Sequence, residues 1–173
     1  SRVINHITNE EEPQESRSIL KESARLVRGR IKPLNELNMN EFDAIVFPGG
    51  FGAATNWCNW LTHGTDFSIE EDIRELVSQA RTHHKPLGFI CIAPVMIPKL
   101  CPDATLTIGN DEQIAEKIEE MGGTHVTCSA ENIVIDQEHK IVTTPANMLA
   151  QNIVELHQGI HKLIKALATL AKT

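Results

Sequence analysis

Cys91 is the residue of this sequence best placed to do covalent chemistry. It lies in the apolar run Leu87-Gly88-Phe89-Ile90-Cys91-Ile92, which Pro86 precedes and Pro94 closes. A run this short and this apolar reads as a buried strand entering a turn. Gly88 marks a point of close backbone approach or unusual dihedrals. Pro94 suits a first helical turn, where its missing N–H costs nothing, so a helix is expected to start between Cys91 and Pro94. A thiol at that start meets free amide groups and the positive end of the dipole, which favour the thiolate. The competing reading is a small buried hydrophobe, a common fate of a free cysteine. A second stretch bears on the choice. Pro48-Gly49-Gly50-Phe51-Gly52 directly follows the apolar strand Asp43–Phe47. Its glycines let the backbone turn sharply and expose N–H groups. Both stretches leave the carboxyl end of a strand, where parallel sheets bind ligands. Facing one another, they make a nucleophile elbow with amides beside it to hold an oxyanion.

Other chemistries find less support. There is no GxGxxG and no GxxxxGK[ST], so nucleotide binding is not indicated. The four cysteines, Cys58, Cys91, Cys101 and Cys128, form no CxxC pair, which argues against a zinc knuckle and for a reducing compartment. His157 and His161 have a spacing that can hold a metal, but no third ligand converges on them, and they read as surface residues. No metal and no cofactor are expected. His83 and His84, with Arg81 and Lys85, complement a helix C-terminus. Trp57 and Trp60 flank Cys58, either lining a site or partner surface or, by default, anchoring their loop. The net charge of −7 argues against nucleic acid or an anionic membrane as partner. No apolar run approaches the roughly 18 residues of a membrane span, and no basic-then-apolar segment opens the chain. A cytoplasmic protein is expected.

The 173 residues, 41% hydrophobic and 23% charged, suit a single domain spanning 1–173. Residues Asn9 to Glu15 read as a solvated loop, and Ser16 to Arg28 as an amphipathic helix stopped by Gly29. The clearest helix begins at Ser68, which would form a capping box with Glu71, and turns Ile69, Ile73, Leu76, Val77 and Ala80 to the core. Thr105–Ile108 reads as a strand. Asn110 with Gln113 caps the next helix, which Gly122-Gly123 ends. Ile133–Asp136 and Lys140–Thr144 suggest a hairpin. The last helix carries the stripe Ile153, Leu156, Ile160, Leu163, Ile164, Leu167 and Leu170. Strand–helix alternation of this kind implies an α/β fold with a mainly parallel sheet.

Several segments together resemble the ElbB-like family of the PfpI and class I glutamine amidotransferase-like superfamily. They are Glu15-Ser16-Arg17, Glu22-Ser23-Ala24-Arg25, Arg28-Gly29, Phe47-Pro48-Gly49-Gly50-Phe51-Gly52-Ala53-Ala54, Lys85 to Pro94, Thr107-Ile108-Gly109 and Val142-Thr143-Thr144-Pro145-Ala146. The resemblance covers nearly the whole chain. It implies a flavodoxin-like three-layer sandwich, with Cys91 as catalytic nucleophile and Gly50 and Ile92 supplying the oxyanion hole. Gly49, Phe51 and Pro145 would line the crevice. It also implies a homodimer and a small-molecule dicarbonyl substrate, since bacterial members are associated with conversion of glyoxal to glycolate and with isoprenoid production.

The sequence departs from the family pattern in four places. The family opens with a strand, a Gly-Cys-Gly-type turn with an acidic residue near the thiol, a helix and a second strand, and nothing here matches them. The domain is therefore expected to be incomplete at its amino end, without a carboxylate partner for Cys91. Thr55 stands where the family more often has Lys. Ile92 follows the nucleophile where PfpI-type enzymes often have His. Thr143-Thr144-Pro145-Ala146-Asn147 offers neither the His nor the Glu of a true amidotransferase, which weakens amidotransferase and protease readings. Two functions remain: a glutathione-independent glyoxalase-like enzyme using Cys91, or a non-catalytic binding protein linked to isoprenoid metabolism.

Overall fold

The computed structural model describes residues 3–172. The chain divides into two compact units, Ser1–Asn38 and Met39–Thr173. In the first unit, β1 (Ile4–Asn5) pairs antiparallel with β2 (Glu10–Glu11). The segment expected as a solvated loop, Asn9–Glu15, is largely exposed and contributes only Glu10–Glu11 to this ribbon. Asn9, at φ 60°, donates its N–H to Asn5 O at 2.7 Å and so closes the turn. Asparagine tolerates that left-handed conformation better than most residues. The helix α1 (Ile19–Leu26) is capped by Ser18, whose side chain accepts from Lys21 N, and it buries none of its own residues. It stops where Arg28 and Gly29 turn left-handed, at φ 53° and 80°.

The second unit carries β3 (Ile45–Phe47), α2 (Trp60–His63), α3 (Glu71–Thr82), β4 (Leu87–Ile90), α4 (Ile97–Leu100), β5 (Thr105–Leu106), α5 (Glu112–Glu120), β6 (Thr124–His125), β7 (Val134–Asp136), β8 (Ile141–Thr144) and α6 (Ile153–Leu170). Its main sheet has the order β3-β4-β8-β7. β3, β4 and β8 are parallel, in the registers Phe47↔Phe89 and Phe89↔Thr143. The hairpin expected at Ile133–Thr144 is present as the antiparallel pair β7–β8. β5 and β6 form a separate parallel pair, so the strand expected over Thr105–Ile108 is paired only in its first half. Among the described residues no helix is long and apolar enough to cross a membrane.

Leu87, Phe89, Ile141 and Val142 are fully buried, as the apolar runs predicted. Phe47 and Phe89 stack at 4.7 Å between centroids. Gly88 serves close approach: a Cβ there would stand 2.7 Å from Leu167 Cδ1 and 3.0 Å from Leu163 Cδ2. A side chain there would force the ends of Leu163 and Leu167 to shift. Of the apolar stripe on α6, Leu163, Leu167 and Leu170 are buried, whereas Ile153 and Ile164 are exposed.

Two helix starts differ from expectation. α3 begins at Glu71 without a side-chain cap, so there is no Ser68–Glu71 capping box. Instead Ser68 N–H donates to Asn59 Oδ1 at 2.6 Å, Asn59 N–H donates to Ser68 O, and Ile69 bridges to Cys58. A long-range partner holds Ser68 in place of the local one. α5 is capped by Asp111, whose Oδ1 accepts from Ile114 N–H at 3.0 Å, one residue beyond Asn110. The tryptophans anchor their loop. Trp60 is buried edge-on to Phe67 at 5.4 Å, and Trp57 meets Phe47 edge-on at 5.8 Å. His157 and His161 lie on α6, both exposed, with their rings stacked at 5.4 Å.

Candidate functional site

Because β3 and β4 are neighbours in register, Pro48-Gly49 and Ile90-Cys91 leave the sheet side by side. The approach is tight. A Cβ at Gly49 would lie 2.6 Å from Cys91 Cβ, 2.7 Å from Ile90 O and 3.1 Å from Ile92 N. Only glycine fits there. The two stretches singled out in the sequence therefore meet.

Cys91 has φ 64°, the left-handed region that non-glycine residues rarely occupy. Its N–H donates to Thr144 O at 2.9 Å, carrying the β4–β8 pairing one residue past the strand before the chain turns away. This is an elbow, with strain of about 1–3 kcal/mol concentrated at the thiol-bearing residue. The thiol is half-buried, and it packs against a core cluster that includes Ile90, Val142, Ala146 and Leu163. It is thus neither the sealed hydrophobe of the competing reading nor a freely solvated side chain.

The element after the elbow corrects the expected helix. A 3-10 turn, Ala93–Met96, leads into the four-residue α4. Pro94 and Pro98 remove N–H groups from both pieces. Any help to a thiolate here comes from single amides rather than from a long helix dipole. Two such amides are close in the chain. Among the described residues neither Gly50 N–H nor Ile92 N–H has a hydrogen-bond acceptor. Gly50 has φ 97° and is exposed. Phe51 follows it, 77% exposed. The chain then enters a π-helical turn, Ala53–Trp57, a form often found beside functional sites. Pro145 is buried just past β8, at the same end of the sheet as Cys91.

Burial pushes Cys58 up, opposed by a backbone hydrogen bond at Trp60. Burial raises Cys101, against the Arg81 charge, and Cys128, against the Lys162 charge. Among the described residues no imidazole or carboxylate hydrogen-bonds Cys91, and no group of three or more His, Cys, Asp or Glu side chains gathers to hold a metal.

Some supporting residues leave little trace in the sequence. Thr143 Oγ1 accepts from Thr107 N–H at 2.9 Å, and Thr144 Oγ1 donates to Asn132 O at 2.8 Å. Both threonines are fully buried and tie the strand beside Cys91 to its surroundings. The available signal was two adjacent hydroxyls within a buried strand, each of which had to find a partner.

No protein-family model matches the chain. It is 33% identical over 177 residues to a rat protein named ES1 protein homolog, mitochondrial, an alignment covering 97% of this chain and 66% of the relative. The human glutamine amidotransferase-like class 1 domain-containing protein 3, mitochondrial, aligns with the same identity and coverage, 33%, 97% and 66%. The chain thus spans just under two thirds of the length of these curated relatives. A crystal structure of an isoprenoid biosynthesis protein with an amidotransferase-like domain, from Ehrlichia chaffeensis, superposes with a TM-score of 0.87 at 30% identity. That match covers 98% of this chain and 78% of the other. The fold is accordingly the flavodoxin-like α/β arrangement expected from the sequence. The cytoplasmic expectation is overturned, because the rat and human relatives are mitochondrial by name. Composition and cysteine pattern speak to a reducing environment, which more than one compartment supplies.

Proposed function

This chain belongs to the ElbB-like family of amidotransferase-like proteins, which takes in the ES1 proteins, and on that premise we propose that it is a glutathione-independent, glyoxalase-type enzyme. The observation that carries the reading is the left-handed Cys91 wedged against Gly49 at adjacent strand ends. In the proposed reaction the Cys91 thiolate attacks one aldehyde carbon of a small dicarbonyl such as glyoxal, forming a C–S bond. The oxyanion of the hemithioacetal is held by the Gly50 and Ile92 N–H groups, with Gly49, Phe51 and Pro145 as walls of the crevice. A proton leaves that carbon and another is delivered to its neighbour. The first carbon is thereby oxidised to a thioester and the second reduced to an alcohol. Water then cleaves the thioester, so one dicarbonyl and one water give one hydroxy acid and the free thiol. No external oxidant is required. The proposed assembly is a homodimer.

The lack of an imidazole or carboxylate hydrogen-bonded to Cys91 among the described residues favours a second reading, a non-catalytic binding protein linked to isoprenoid metabolism. One pair of measurements separates the two. An enzyme turns over glyoxal and loses at least about 100-fold of that rate in Cys91→Ser. Iodoacetamide then labels Cys91 ahead of Cys58, Cys101 and Cys128, which burial holds up. Equal turnover by the wild type and Cys91→Ser removes the thiol from the mechanism. Absent turnover, with Cys91 alkylated no faster than a free thiol, leaves the binding reading.

A further inference from the structure

A concavity lies at the end of the sheet opposite Cys91. It has a volume of about 710 Å³ and opens where the chain runs into β4 and β8, beside α3 and α4. Lys85 precedes β4 by two residues and Lys140 immediately precedes β8. The two strands are parallel, so their amino ends share one edge of the sheet while Cys91 leaves the opposite edge. Six residue steps from Lys85 to Cys91 put the two sites about 20 Å apart along the strand.

The cleft is lined by Arg74, Arg81, Lys85, Lys99, His139 and Lys140, with Glu138 as its one lining carboxylate. This is a concentration of positive charge in a chain whose net charge is −7. Arg74, Arg81 and Lys99 are held by neutral neighbours. Arg74 Nε donates to Ile69 O at 3.2 Å and Arg81 Nη1 to Leu100 O at 3.4 Å. Lys99 Nζ donates to Phe67 O and sits 4.3 Å from the Phe67 ring centroid. Among the described residues none of the five Lys and Arg side chains is ion-paired to a carboxylate. Arg74, Lys85, Lys99 and Lys140 are half-buried. Like charges gathered and partly desolvated in this way repel one another, and an anion among them relieves both costs.

One wall is also oriented. Asp136, 7% exposed, accepts from Thr105 N–H at 2.7 Å, from His139 N–H at 2.8 Å and lies 3.0 Å from His139 Nδ1. A carboxylate fixed by two backbone amides holds the imidazole by one nitrogen and leaves Nε2 for a ligand, as supporting carboxylates do at other histidine sites.

We propose that this cleft binds a small ligand through a phosphate or diphosphate group. Guanidinium forks and ammonium groups suit phosphate oxygens, and the carbonyl contacts of Arg74 and Arg81 each occupy only part of a five-donor fork. The volume lies within the range of small-molecule sites. The acidic net charge of the chain disfavours a nucleic acid strand, whose other phosphates would meet a negative surface.

The test is isothermal titration of the full chain with inorganic phosphate and pyrophosphate. The variants are Arg81→Ala and Lys140→Gln, which remove charge from different elements, and Cys91→Ser as control. Far-UV circular dichroism checks each fold, and either folded variant suffices. The expected result is saturable binding of pyrophosphate at one site, weakened about tenfold by Arg81→Ala or Lys140→Gln and unchanged in Cys91→Ser. Absence of saturable binding overturns the proposal. So does binding indifferent to both charge variants, or tighter binding of a single-stranded oligonucleotide than of pyrophosphate. The cleft and the Cys91 chemistry stand or fall separately, because the control variant touches only the elbow.

Discussion

At the scale of single residues the chain turns on Cys91 and Gly49. A cysteine at φ 64° persists only where its surroundings leave it no relaxed alternative, and here the Thr144 carbonyl holds its N–H while Gly49 closes the other side. Gly49→Ala would place a methyl group 2.6 Å from Cys91 Cβ, with backbone atoms behind it that cannot swing aside. The expected cost is about 1–3 kcal/mol, together with displacement of the Cys91 thiol. Thermal unfolding reads the first effect and, on the proposed activity, glyoxal turnover the second. A variant with wild-type stability and turnover would show that the elbow has slack. The turn at Cys91 was legible because an apolar run, a following Pro94 and a glycine pair after another strand have few joint explanations. Its backbone sign was not, because a left-handed dihedral is imposed by what lies across the turn, not by the cysteine.

At the scale of elements the chain is held together by polar side chains that reach between strands. Asp136 at the end of β7 accepts the N–H of Thr105 at the start of β5 and that of His139 in the β7–β8 turn, and it meets the His139 ring. Burial pushes its carboxyl up, but these donors outweigh burial and hold it below the usual carboxylate range. A lowered folded-state value makes a contribution to stability that is complete above the unfolded value, about 3.9, and lost as pH falls through the folded one. Asp136→Asn is therefore expected to cost about 2 kcal/mol near neutral pH, and its deficit relative to the wild type shrinks below about pH 4. Urea unfolding at a series of pH values measures this. A deficit that does not change with pH would assign the loss to packing. Helices and strands were legible through period and punctuation, as at β4, β8 and the core face of α3. Caps were less so. Ser68 with Glu71 satisfies the local pattern for a capping box, yet Ser68 is held by Asn59, nine residues away in sequence.

At the scale of the whole molecule, the parallel run of β3, β4 and β8 sets where chemistry can occur. It sends the Gly49 turn, Cys91 and Pro145 to one edge and Lys85 and Lys140 to the other. The stack of Phe47 on Phe89 lies within that run, with Phe89 wholly buried. Phe89→Ala is expected to destabilise the second unit by about 3–5 kcal/mol, read by thermal or denaturant unfolding. A loss below about 1 kcal/mol would mean that the sheet repacks around the gap. The sequence by itself determined the α/β class, the apolar strands, the thiol that ends one of them and the glycine turn that ends its neighbour. Each of these follows from local period, local composition or the stereochemistry of glycine and proline. Only the tertiary structure decided that the two turns touch, that a short 3-10 turn follows Cys91, and that distant cations share one cleft. Those outcomes depend on strand order and register, which place residues tens of positions apart within ångströms of each other and leave no mark in either local pattern.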